Sequence, residues 1–186
     1  MKQHRRQQHI GRKGFTLVET LVAISILLVA IVGPMTIAAK GLQSAFYARE
    51  QITAFWLGQE GVELVRELRD QSALEHENWL ANIPPSCGNA NGCGLDARGV
   101  AVNNCTAGNN CRLNYDDGPL AAPGHRGFYT HAAGTPSQYT RRIFVQESSN
   151  NKEAIVTVEV SWQSGLFGAA KTVTIQSRIF NQYDNI

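Results

Sequence analysis

No glycine-rich phosphate loop, no G-x-S-x-G and no H-E-x-x-H occurs anywhere in the 186 residues. Those patterns cradle a nucleotide phosphate, expose a serine nucleophile or bind a hydrolytic zinc, so three chemistries readable from short motifs are missing. His76, His125 and His131 have no partner at a recognisable spacing, and His4 and His9 lie in a basic tail. An enzyme is not expected, and no cofactor or metal is implied. No internal repeat is long enough for a solenoid. Acid is absent from residues 1–14, which carry Lys2, Arg5, Arg6, Arg12 and Lys13. Beyond that tail acids outnumber bases, so the body offers no electrostatic case for nucleic acid.

Cysteine is sparse and confined. Cys87, Cys93, Cys105 and Cys111 lie within 25 residues, in a stretch rich in glycine and asparagine. An even number in a loop-like stretch points to disulfides and an oxidising compartment. Zinc is disfavoured, because paired zinc ligands usually have two to four residues between them and both pairs here are C-x5-C. Three connectivities are possible. Two local bridges, Cys87–Cys93 and Cys105–Cys111, are preferred for their shared short spacing, with the nested pairing Cys87–Cys111 and Cys93–Cys105 as the alternative. Asp116-Asp117-Gly118-Pro119 has half the look of a calcium loop and is read as a turn. Asn104-Cys105-Thr106 is formally a glycosylation sequon, with its middle residue expected in a disulfide.

What the chain does have is an apolar run. Residues 15–39, FTLVETLVAISILLVAIVGPMTIAA, hold one charge, Glu19. At about 1.5 Å per residue the run is long enough to cross a bilayer core of ~30 Å. It is too long for the core of an ordinary secretory signal and has no small-x-small cleavage site behind it, so it is expected to stay in the mature protein. The basic tail before it is read as the cytoplasmic, orienting flank of a single span. Gly33-Pro34 should break or kink the helix, since proline removes a backbone donor and clashes with the preceding turn.

The helical pattern continues past Lys40 without proline to about Ser72. Ala54, Leu57, Gly61, Leu64, Val65 and Leu68 recur at steps of three and four, which aligns them on one face. Gly61 on that stripe would let another backbone approach closely. Glu63 with Glu67, and Arg66 with Asp70, are read as a solvated face. Residues 82–127 are irregular in composition and need staples. Beyond Phe128 the period becomes two: Ala154, Val156, Val158, Val160 and Trp162 share a face, as do Val173, Ile175, Ser177 and Ile179, and a shorter run is built on Ile143 and Val145. Turn-like connections make this a three-stranded antiparallel meander whose apolar face needs a cover. The helix stripe is the expected cover, giving an α+β fold. Leu166 and Phe167, apolar at a turn tip, are expected to touch a neighbouring subunit.

KGFTLVETLVAISILLVAIV, from Lys13 to Val32, resembles the N-terminus of type IV pilins and type II secretion pseudopilins. It combines a short basic leader ending in Gly14, Phe15 at the cut, Thr16, a glutamate at the fifth position after the cut and a long apolar helix. LGQEGVELVRELRD, GFYTHAAGTPSQYTRRIFV and VTVEVSWQSG resemble pilus-modification (PilV-like) minor pilins. The resemblance implies that a membrane prepilin peptidase cuts between Gly14 and Phe15 and methylates the new amine. It further implies that other pilin subunits and the pilus assembly machinery are the partners, and that Glu19 meets the Phe15 amine of a neighbour during assembly. Physics agrees with that role, because a retained charge in a membrane segment is functional by default.

The expected organisation is a cleaved leader (1–14), a transmembrane or filament-core helix (15–39), its amphipathic continuation (40–80) and a β head (81–186) with a cysteine-stapled loop (87–111). The expected protein is a non-catalytic minor pilin, held in the cytoplasmic membrane with its head outside the cytoplasm and then built into an extracellular pilus. A pseudopilin of a periplasmic pseudopilus is the alternative, and a single-pass anchored binding protein is a more distant one.

Overall fold

A computed structural model describes residues 14–106, 111–116, 127–148, 151–163 and 169–182. The expected contact residues Leu166 and Phe167, the leader residues 1–13, His4, His9 and His125, and residues 117–119 of the turn lie outside them. The chain divides into two units, residues 1–46 and 47–186.

In the first unit a helix begins at Leu17; this helix, α1, runs from Leu17 to Leu74. Its apolar side chains are exposed on every side up to Phe46. The polar residues among them turn inward on the backbone: Thr20 donates to the carbonyl of Leu17, Ser25 to that of Leu21 and Thr36 to that of Gly33, at 2.7–2.8 Å. Hydroxyls satisfied in this way do not oppose an apolar surrounding. α1 is helical through Gly33 and Pro34, so no turn is melted there. Proline removes a single ladder bond, and the bonds on either side still hold the helix.

In the second unit the rest of α1 lies against a seven-stranded sheet. The strands are β1 (Cys93–Leu95), β2 (Ala101–Asn103), β3 (Arg112–Tyr115), β4 (Tyr129–Thr130), β5 (Thr135–Glu147), β6 (Glu153–Gln163) and β7 (Ala170–Phe180). β5, β6 and β7 form the expected antiparallel meander, with an unbroken register from Tyr139↔Trp162 to Glu147↔Ala154 and from Glu153↔Phe180 to Gln163↔Ala170. The expected alternation holds on β6, where Ala154, Val156, Val158, Val160 and Trp162 are all buried. The other edge of β5 is shared by β3 and β1, which pair with its two ends in turn.

Ala54, Leu57, Val62, Leu64 and Val65 of α1 are buried with Ile143, Val158, Val160 and Ile179 of the sheet. Glycine makes this approach possible. A methyl group at Gly61 would stand 2.9 Å from Val158 Cγ1, and one at Gly58 would stand 2.6 Å from Ile175 Cδ1. Each glycine costs up to about 1 kcal/mol of helix propensity against alanine, and close packing of a whole helix face offsets that. Polar ties fix the placement: Arg66 Nη2 donates to Ser177 Oγ at 3.0 Å and Tyr139 Oη to the Glu50 carbonyl at 3.3 Å.

The helix ends in a Schellman arrangement, with Glu77 N–H donating to the Ser72 carbonyl and His76 N–H to that of Ala73. His76 takes the left-handed position at φ 58°, where glycine is usual. Past it, Trp79 Nε1 donates to Asn151 Oδ1 at 2.9 Å, tying the chain after the helix to the β5–β6 turn.

Disulfides Cys87–Cys93 and Cys105–Cys111 join consecutive short pieces: a 3₁₀ turn (Pro85–Gly88) to β1, and the end of β2 to the start of β3. Bridges closing loops this short contribute about 2 kcal/mol each in a chain-entropy account. The region expected to be irregular, residues 82–127, therefore contains three short strands among its described residues, stapled by the disulfides, with β1 and β3 paired to β5.

Candidate assembly site

Gly14 and Phe15 precede the helix in non-helical backbone, and both are exposed, Phe15 at 80%. A peptidase needs an accessible segment outside regular structure, and the described side of this junction is exposed and non-helical. Thr16 then starts the helix. Its Oγ1 accepts the Glu19 N–H at 3.3 Å, and its carbonyl accepts from Thr20 N–H at 3.1 Å. Thr16 is thus the N-cap and Glu19 the third helical residue, the T-x-x-E spacing of a capping box. That spacing is visible in the sequence and gives Glu19 a local role beside the expected one: a carboxylate in the first turn also faces the positive end of the helix dipole. The Glu19 carboxylate is exposed, and among the described residues no cation lies within ion-pair distance of it. The structure does not bring Gly33 and Pro34 to this end; they lie further along the exposed helix.

Behind the junction, the apolar stretch reaches a mean hydropathy of 2.5 over an 18-residue window, with none of that window buried. Leu17, Val29, Met35 and Ile37 are each at least 70% exposed. So much exposed apolar surface on one element marks a surface that lipid or another protein covers.

All four cysteines are consumed by disulfides, and among the described residues no three of His, Cys, Asp and Glu gather as a metal site. Asp116, of the turn weighed for calcium, instead meets Arg98 at 2.7 Å.

Two buried polar groups escaped the sequence reading. Arg141 is fully buried on the inner face of β5, with Nη1 donating to Glu60 Oε2 at 2.8 Å and to the Leu57 carbonyl at 3.0 Å, and Nη2 donating to the Leu95 carbonyl at 2.5 Å. It joins helix, sheet and β1. The alternation through Tyr139, Ile143 and Val145 points it inward, and that was the available signal. Asp96, buried in the β1–β2 turn, accepts from the N–H groups of Arg98, Val100 and His131 and from Thr130 Oγ1. Burial pushes its carboxyl up, and those donors, led by Thr130, outweigh it and hold it below the usual value.

Comparison with protein families matches residues 11–33 to the prokaryotic N-terminal methylation motif. No curated protein and no solved structure matches the chain. The motif is the type IV pilin and pseudopilin signal, and it supports that superfamily for the chain. Processing by a prepilin peptidase and entry into a pilus-type assembly follow from such a signal. The exposed junction and the uncovered apolar helix fit a membrane-anchored precursor.

Proposed function

We propose that the protein is a minor pilin, a structural subunit of a type IV pilus filament. Cleavage between Gly14 and Phe15 leaves a methylated Phe15, the helix holds the subunit in the membrane, and neighbouring subunits then replace lipid around it. The observation that carries this reading is the wholly exposed apolar helix directly behind an exposed Gly14–Phe15 junction. Glu19 pairs with the Phe15 amine of a neighbour, because an ionised carboxylate moving from the membrane edge into a filament core needs an opposite charge. The disulfide-stapled β1–β3 region suits a head outside the cytoplasm, since the periplasm and the cell exterior are both oxidising.

Mass spectrometry of sheared extracellular fibres tests it. The expected peptide begins at N-methyl-Phe15. Its absence from fibres, with the processed chain found only in the periplasm, selects the pseudopilin; an intact Met1 in assembled material rejects both.

A further inference from the structure

β7 is an 11-residue strand at the edge of the sheet, paired with β6 through every position without a bulge. Asn181 N–H donates to the Lys152 carbonyl and Ser148 N–H to that of Glu153. With the antiparallel register, this turns the N–H and C=O of Val173, Ile175, Ser177 and Ile179 toward β6. Those of Thr172, Thr174, Gln176 and Arg178 face outward, and among the described residues no strand pairs with them.

Proteins usually blunt such an edge with a proline, a bulge, brevity or charged side chains, lysine above all, and of these β7 has only the charges. It carries Lys171 and Arg178 and no carboxylate. The Arg178 side chain is 65% exposed and stands 3.6 Å from Glu153. Pairing two copies of β7 would gather only cations.

We propose that the β7 edge is a strand-addition site for an extended, carboxylate-bearing segment of another protein. The backbone of that segment completes the outward ladder, and two of its acids, one on each face of the sheet, meet Lys171 and Arg178. The inference does not rest on the filament reading, because it concerns the head alone.

The test uses the full-length chain in detergent micelles and a fluorescent valine-rich peptide as long as β7, with one glutamate placed opposite Lys171 and one, on the other face, opposite Arg178. A counterpart with lysine for glutamate is the control. The acidic peptide is expected to bind about tenfold or more tightly than the lysine peptide. Thr174→Pro is expected to weaken binding by about tenfold, one ladder bond, while leaving the β6 pairing whole, since the Thr174 N–H points outward. Amide exchange in the wild type decides independently of that variant: Thr172, Thr174 and Gln176 should gain protection on binding, and Val173, Ile175 and Ser177 should not change. Equal binding of the two peptides, no binding, or protection without this alternation overturns the proposal. So does β7-mediated dimerisation without peptide.

Discussion

Arg141 is an ion inside an otherwise apolar face, and its geometry says which half of its ion pair matters more. The guanidinium is fully buried, whereas the Glu60 side chain is 32% exposed. Removing Glu60 leaves a buried charge without its counter-ion, a loss of the kind that costs about 3 kcal/mol. Arg141→Met removes the charge itself and keeps an apolar stem of similar reach, so it should cost less despite freeing two carbonyls. Denaturant unfolding of Glu60→Ala and Arg141→Met should rank them in that order, and the reverse ranking would show that the carbonyl contacts dominate. His131 carries a second residue-scale expectation. Burial, and then the Arg141 charge, hold its pKa below the ordinary histidine value. Its Nδ1 lies 3.2 Å from the Arg112 carbonyl, and its Nε2 is buried without a partner. The neutral ring therefore donates from Nδ1, and protonation would bury an unpaired donor. A depressed folded-state pKa in a base means that the unfolded chain binds the proton first. Stability should fall as pH drops below about 6.5. His131→Gln should flatten the slope between pH 7 and pH 5 in thermal unfolding, and an unchanged slope would place its origin elsewhere.

At the scale of elements, the joint between α1 and the meander rests on shape. Val158 has a stiff χ1 and cannot swing aside as Ile175 Cδ1 can. Gly61→Val should therefore destabilise by about 1–3 kcal/mol through overpacking, and Gly58→Ala should be milder although its gap is smaller. Leu57→Asp or Val158→Asp would bury an unpaired charge and should prevent a stable fold; normal thermal unfolding of either would mean that the faces are misassigned. The long elements were legible because each buries one face over many residues. A period of two marked β5, β6 and β7, and steps of three and four marked α1. The strands β1 to β4 were not legible. Each is two to four residues long; β1 and β3 are made strands by pairing with β5, β2 and β4 by pairing with them in turn, and the two disulfides hold the pieces in place. Local pattern does not encode such non-local support. At the N-terminus the T-x-x-E spacing was plain but overshadowed by the charge of Glu19.

For the whole molecule, the central matter is a helix whose apolar surface the chain leaves uncovered up to Phe46, headed by an exposed junction and a single carboxylate. Two roles for Glu19 now stand side by side, and they separate cleanly. As a capping-box residue it can be replaced by glutamine, which serves equally at that position. As the counter-charge of a neighbour's amine it cannot, because glutamine carries no charge. The most direct measurement compares wild type, Glu19→Gln, Glu19→Asp and Glu19→Ala by the amount of processed protein in membranes and in sheared filaments. All four should be cut and held in the membrane alike. Filament entry should be strong for wild type, intermediate for the shorter aspartate, and poor for both glutamine and alanine. Entry of Glu19→Gln at the wild-type level would contradict the charge-pairing account and leave Glu19 as a helix cap.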